Sequence, residues 1–226
     1  MKKSILTGAA LMLASLAPIA MAAQTITVKG SDTMVILAQR WAEKYMAAHP
    51  DVSIQVTGGG SGTGISALIN GTTDICNSSR KMKAAERDKL KQRFSSLGVE
   101  IPSARDGLAV YLHETSPVAE LTLDQIKGIY IGKITNWKDV GGPNAKIVLY
   151  GRENNSGTYV YFRDNVLKGA DFAPSLQSLP GTAAVVNAVA KDKLSIGFGG
   201  AAYAKGIKYA KIKKDANTPG VEPTVE

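Results

Sequence analysis

The chain has 226 residues, of which 44% are hydrophobic and 20% are charged, and its net charge is +8. This length can bury a core in one large domain or two small lobes. Its lysines and arginines are dispersed, without a basic stripe interleaved with aromatics, which argues against a nucleic-acid partner. A single cysteine excludes an internal disulfide, and two histidines without Cys/His spacing give no support to a metal site.

The first 22 residues predict an export signal. Two lysines precede an uncharged apolar run at residues 5–19, and residues 20–22 read Ala-Met-Ala, a small-x-small cleavage site. The run is too short and too rich in small residues for a comfortable membrane span, so an uncleaved anchor is the weaker alternative. Cleavage near Ala22 leaves 25 basic against 19 acidic residues, a net +6. We therefore expect a mature protein that is free in the periplasm.

The first half of the chain alternates between strand and helix signals. The predicted elements are a strand at 25–28, an amphipathic helix at 33–48, a strand at 52–56, a short helix at 65–69, a strand at 74–76 and a charged helix at 81–94. The apolar positions of the long helix are Met34, Leu37, Ala38, Trp41 and Tyr45. Asn70-Gly71 provides the stop signal of the short helix.

The second half continues the same alternation. The predicted elements are a strand at 108–113, a helix from 123 to 130, a strand at 147–150, a helix through Leu167, a helix at 183–190 and a strand at 195–198. Thr122 and Gln125 form a capping box that opens the first of these helices. Strands that alternate with helices along the whole chain indicate an α/β fold.

Three strand-to-helix junctions carry the same chemistry. They lie at 30–33, 58–64 and 151–158, and each combines glycine with Ser or Thr. A helix start exposes unpaired N–H groups and the positive end of the dipole, and glycine lets an anion approach the backbone. Arg80 and Arg152 add fixed charges that can bind tetrahedral oxyanions bidentately. Each junction alone can be an ordinary helix cap. Three junctions together with two arginines favour a shared anion pocket. The sequence does not show that the junctions converge.

Enzyme motifs fit less well. Thr63 stands where a nucleophile elbow around Ser61 requires glycine, and Ile65 stands where a P-loop requires lysine. The spacing Gly62-x-Gly64-x-x-Ala67 matches a dinucleotide fingerprint, but no acidic ribose partner is clearly placed about 20 residues on. We therefore predict a binding protein without catalytic residues or cofactor.

Four motifs together resemble a known family. They read GSDTM at 30–34, GGGSGTG at 58–64, NSSR at 77–80 and RENNSGT at 152–158. The segments ITNWKDVGG at 134–142 and IGFGG at 196–200 agree with them. From about Thr25 onward, the chain is similar to the periplasmic phosphate-binding proteins of bacterial phosphate ABC importers, the PstS family.

The resemblance implies a type II periplasmic-binding-protein fold, with two α/β lobes joined by hinge strands and a ligand cleft between them. It implies a lobe 1 of residues 23–107 plus 197–226 and a lobe 2 of residues 108–196, with hinge strands near 108–113 and 195–198. The ligand residues implied by motif position are Thr33, Met34, Ser61, Arg80, Arg152, Ser156, Gly157 and Thr158.

Two features depart from the family pattern. Well-known members carry an Asp near the position of Arg80, which accepts the proton of phosphate, whereas another branch has Ser-Arg as here. Asp32 or Glu153 could take the role of acceptor, and the sequence does not decide this. The chain also stops at Glu226, where relatives usually continue.

The resemblance implies a monomeric receptor that captures inorganic phosphate and delivers it to an ABC permease in the inner membrane. The alternatives are a binding protein for another oxyanion (sulfate, molybdate or tungstate) and a phosphate scavenger or sensor without transport.

Overall fold

The computed structural model describes residues 24–223. The predicted export signal lies outside this range, so its cleavage site stays a prediction. Within the described residues, no helix combines the length and the apolar character that a membrane crossing requires.

A three-stranded parallel sheet organises the N-terminal part, in the order β2-β1-β3. Its elements, in chain order, are β1 (Gln24–Gly30), α1 (Val35–Ala48), β2 (Val52–Thr57), α2 (Ser61–Asn70), β3 (Ile75–Asn77) and α3 (Ala84–Phe94). Each predicted strand and helix of this half is present with shifted ends. The glycine-rich junction is divided, since its second half forms the first turn of α2.

Helix α1 buries small residues and exposes large ones. Only Ala38 and Ala42 are fully buried, whereas Leu37, Trp41 and Tyr45 are 36–47% exposed. An amphipathic helix was expected from these apolar positions, and the helix is present, but its aromatic residues do not form the buried face. Alanines allow the backbone of α1 to lie close to the sheet, where Met46 accepts the N–H of Ile54 through its sulfur.

A five-stranded mixed sheet organises the second part, in the order β7-β6-β8-β4-β9. The elements from β4 onward are β4 (Leu108–Leu112), β5 (Glu120–Thr122), α4 (Leu123–Tyr130), β6 (Val148–Arg152), α5 (Gly157–Asn165), β7 (Gln177–Leu179), α6 (Gly181–Lys191), β8 (Ser195–Gly200), β9 (Lys208–Tyr209) and β10 (Lys211–Lys213). The predicted capping box is formed, because Thr122 Oγ1 accepts the N–H of Gln125 and Gln125 Oε1 accepts the N–H of Thr122.

The last two strands join the second part of the molecule. β9 pairs with β4, and β10 forms a separate two-stranded sheet with β5, whereas the N-terminal sheet contains only β1, β2 and β3. The division into lobes stays a prediction. These pairings lead us to propose a different boundary, in which residues 108–213 form one lobe and 24–107 the core of the other.

Aromatic packing fixes α5 against the five-stranded sheet. Phe162 of α5 stacks on Phe198 of β8 with ring centroids 4.0 Å apart, and Tyr130 meets Phe162 edge-on at 4.8 Å. All three side chains are buried. Such pairs stabilise beyond the area that they bury, so the start of α5 is held rigidly at the end of β6.

Candidate functional site

The three junctions identified in the sequence meet at one place. Thr33, after β1, and Thr158, in the first turn of α5, have their Oγ1 atoms 3.0 Å apart. Asp32 forms an ion pair with Arg152, at the end of β6, with Oδ2 and Nη2 separated by 2.6 Å. Two sheets therefore contact each other through the loops that follow their strands, where helix N-termini expose N–H groups.

The glycine-rich junction packs directly against Asn155. The N–H of Gly62 donates to the Asn155 carbonyl at 2.9 Å, and the Asn155 amide donates to the Gly59 carbonyl and to Thr63 Oγ1 at 3.0 and 3.1 Å. Gly60 has φ +89°, and a Cβ there would lie 2.9 Å from the Asn155 carbonyl oxygen. Glycine is required here by both backbone conformation and close approach.

Ser61 and Ser79 face the first residue of α5. Ser61 Oγ accepts the N–H of Ser79 at 3.0 Å, and the two hydroxyl oxygens are 3.2 Å apart. A Cβ on Gly157 would lie 2.5 Å from Ser61 Oγ and 2.4 Å from Ser79 Oγ. The sequence identified Ser61 and Gly157 but not Ser79, which adjoins the predicted Arg80.

Arg152 is held from two sides. It is 1% exposed, its Nη1 donates to Thr182 Oγ1 at 2.8 Å, and its Nη2 donates to Asp32. Burial lowers the pKa of Arg152, and the neighbouring Asp32 carboxylate opposes that shift. A guanidinium anchored at both Nη atoms has a fixed orientation, which suits bidentate recognition of an oxyanion.

The remaining predicted residues lie around this cluster with some backbone groups already engaged. Ser156 is buried and caps α5, where its Oγ accepts the N–H of Tyr159. Met34 lies at the start of α1, but its N–H donates to the Ser31 carbonyl at 3.1 Å. A direct donation from Met34 to a ligand would therefore require a change in this turn.

The side chain of Arg80 points to a different partner. Its Nη1 and Nη2 donate to the two carboxylate oxygens of Glu86, at 2.8 and 2.7 Å. This bidentate bond raises the pKa of Arg80 and lowers the pKa of Glu86. The contacts thus link Thr33 with Thr158 and Ser61 with Ser79 beside Gly157, Arg152 pairs with Asp32, and the guanidinium of Arg80 pairs with Glu86 of α3.

This pairing predicts an acid-dependent contribution to stability. The folded pKa of Glu86 is depressed, so the stabilisation is present above its unfolded pKa and is lost as pH falls through the folded pKa. We expect Glu86→Gln to lower the free energy of unfolding by about 1–2 kcal/mol near neutral pH and by much less near pH 3. Urea unfolding at the two pH values measures this.

Glu43→Gln is the matched control, because Arg40 and Glu43 form an ion pair with side chains 72% and 59% exposed. Exposed pairs contribute little, so this variant should unfold like the wild type. An equal loss from Glu86→Gln at both pH values would contradict the assignment.

Buried polar atoms without a hydrogen-bond partner cluster at the junctions. Within residues 24–223, five buried side-chain nitrogen or oxygen atoms lack a partner in the protein: Ser31 Oγ, Asn77 Nδ2, Arg80 Nε, Arg152 Nε and Asn155 Oδ1. All five residues lie in, or directly beside, the motifs of the sequence analysis. A buried polar group that stays unpaired costs about 1–3 kcal/mol, so these five atoms are candidates for hydrogen bonds to water or to a polar ligand.

The fold and this cluster define the class of the protein. An α/β fold with two sheets whose junctions face each other is that of periplasmic-type binding proteins. A family model described as the PBP superfamily domain matches residues 17–225. The chain belongs to the PBP superfamily, and its predicted resemblance to phosphate-binding members is confirmed by the relatives below.

Curated relatives are phosphate-binding proteins. The chain is 36% identical over 196 residues to the phosphate-binding protein PstS of Pseudomonas aeruginosa, which covers 81% of the chain and 59% of the relative. It is also 36% identical over 155 residues to PstS of Bacillus subtilis, covering 69% and 50%. The chain thus spans 59% or less of the length of these two relatives.

Solved structures similar to this chain are also phosphate-transport binding proteins. A protein from Clostridium perfringens, assigned as a phosphate ABC transporter substrate-binding protein and solved with bound phosphate, superposes with a TM-score of 0.79 at 32% identity, covering 89% of this chain and 78% of that one. An ABC-type phosphate transport receptor from Vibrio cholerae superposes with a TM-score of 0.63 at 30% identity, covering 89% and 79%.

Proposed function

We propose that this protein is an extracytoplasmic receptor that binds inorganic phosphate between its two sheets and delivers it to an ABC permease. The observation that carries the proposal is the meeting of three helix-start junctions around one ion pair: Asp32 binds the buried guanidinium of Arg152 and accepts the N–H of Gly59, and Thr33 contacts Thr158. Helix N-termini and a fixed arginine are complementary to a tetrahedral anion. The relatives named above are phosphate-binding proteins, which favours phosphate among such anions.

The proposed ligand residues lie at the ends of strands of both sheets and in the loops and helix starts that follow them. They are Thr33, Met34, Ser61, Arg152, Ser156, Gly157 and Thr158, with Ser79 added because its hydroxyl adjoins Ser61 and Gly157. Arg80 stays an untested prediction. Its bond to Glu86 favours a supporting role, in which it fixes the segment that carries Ser79.

Delivery to a permease rests on the relatives alone, and the sensor or scavenger role uses the same site. A phosphate-uptake assay in a host that lacks its own receptor separates the two roles. Restored uptake by this chain supports delivery, whereas binding without restored uptake supports the scavenger or sensor.

Phosphate should stabilise the folded protein. A ligand at 100 times its dissociation constant adds about 2.7 kcal/mol to the free energy of unfolding, which for a chain of this size raises the melting temperature by roughly 5–10 °C. Thermal unfolding with phosphate, sulfate and molybdate measures this. A shift with sulfate or molybdate and none with phosphate would replace the proposal by the alternative oxyanion.

A further inference from the structure

Asp32 connects three parts of the site. Its Oδ1 accepts the N–H of Gly59 at 2.8 Å, its Oδ2 accepts Nη2 of Arg152 at 2.6 Å, and its carbonyl accepts the Tyr203 hydroxyl at 2.6 Å. A Cβ on Gly58 would lie 2.3 Å from Asp32 Oδ1, so a larger residue there would displace the carboxylate. The carboxylate is therefore fixed in position and not merely near the arginine.

The ion pair joins the two sheets. Asp32 follows β1 of the three-stranded sheet, and Arg152 ends β6 of the five-stranded sheet. Their side chains are 17% and 1% exposed, respectively. Besides Asp32, the ionisable groups that act on the Arg152 charge are Glu153, which is half-buried, and the tyrosines Tyr111 and Tyr203. Among these, only Asp32 forms an ion pair with the guanidinium.

We infer that Asp32 is an internal counter-ion of Arg152, and that its charge makes the site disfavour doubly charged anions relative to singly charged ones. The inference rests on the proposed function, in that Arg152 is taken to bind the anion. An anion that binds this guanidinium approaches the Asp32 carboxylate as well. It gains the attraction of Arg152 and meets the repulsion of Asp32, and that repulsion grows with the charge of the anion.

Removing the Asp32 charge destabilises the ligand-free protein but stabilises the anion-bound protein. Without a ligand, a buried arginine that loses its counter-charge destabilises the folded protein. With an anion bound, the anion itself neutralises Arg152, and the repulsion from Asp32 is gone. A neutral residue at position 32 should therefore make anion binding tighter than in the wild type. Loss of a residue that binds the anion directly would make it weaker.

Calorimetric titration of Asp32→Asn with phosphate tests this. Asparagine keeps the shape and can still accept the N–H of Gly59. At a pH where phosphate is a dianion, we expect binding roughly tenfold tighter than in the wild type, and at a pH where it is a monoanion only about threefold tighter. Asp88→Asn, which removes an exposed carboxylate from α3, is the control for net charge and should leave both constants unchanged.

A stability cycle tests the counter-ion pair without any ligand. Asp32→Asn should lower the urea midpoint, and Arg152→Gln should cost less in the Asp32→Asn background than in the wild type, because no buried charge then remains unpaired.

The inference is overturned if the two substitutions are additive, if Asp32→Asn binds phosphate no more tightly than the wild type, or if the gain in affinity is equal at the two pH values. If the wild type itself shows no phosphate binding, the proposed function fails, and non-additivity in the cycle alone then establishes Asp32 as the counter-ion.

Discussion

Arg152→Ala is expected to weaken phosphate binding by at least about 100-fold, because a charge-assisted hydrogen bond contributes about 1.5–3 kcal/mol and a guanidinium can supply two. The side chain is buried and donates to both Asp32 and Thr182, so its removal also leaves the Asp32 carboxylate without its cation. Calorimetric titration of the purified variant measures the change, and circular dichroism verifies that it is folded.

Arg163→Ala is the matched control, since Arg163 lies on α5, close to the site, but pairs with Asp164 and is partly exposed. It should bind phosphate as the wild type does. A folded Arg152→Ala variant with an unchanged dissociation constant would remove Arg152 from the site.

Gly157→Ala is expected to prevent the two sheets from closing on the ligand. The added methyl would lie within 2.5 Å of both Ser61 Oγ and Ser79 Oγ and 3.2 Å from Ser61 Cβ. Rotation of the hydroxyls does not relieve the contact with Ser61 Cβ, so we expect α5 to move away from Ser61. We expect phosphate binding to weaken by more than about tenfold, because a 1 Å displacement can cost about 100-fold. Small-angle scattering should show a larger radius of gyration with saturating phosphate than for the wild type.

The fold of Gly157→Ala should survive, since alanine is a better helix residue than glycine and Gly157 is not among the glycines with positive φ. Tyr161→Ala, on the same helix but at a half-exposed position, should bind and close normally. Wild-type affinity in Gly157→Ala would show that α5 does not approach Ser61 and Ser79 when phosphate is bound.

The sequence predicted the alternation of elements better than their packing. Helix α1 was expected from apolar spacing and is present, but its buried face is made by Ala38 and Ala42. Periodicity identifies a helix and cannot tell which apolar residues are covered, because that depends on how closely the sheet approaches. The strands β9 and β10, of two and three residues, were not predicted, because an alternation pattern is hard to recognise in so few residues unless neighbouring helix signals mark the place, as they did for β3.

The candidate site was predicted as three separate motifs. Their residue types followed from helix-start chemistry, but their convergence depends on contacts between residues up to 125 positions apart, such as Thr33 and Thr158. The sequence could not show that Ser79, and not the side chain of Arg80, adjoins Ser61. The guanidinium of Arg80 binds Glu86, and in a helix with many charged residues this partner could not be identified in advance. Asp32 was considered only as a proton acceptor, and its bond to Arg152 emerges from the fold.

The most direct test of phosphate binding is calorimetric titration of residues 23–226, the chain without its predicted export signal, with inorganic phosphate, and with sulfate and molybdate in parallel. We predict saturable binding of one phosphate per chain, tighter than that of sulfate or molybdate, and its loss in Arg152→Ala. A wild-type protein that is folded and yet gives no saturable heat with phosphate would contradict the account.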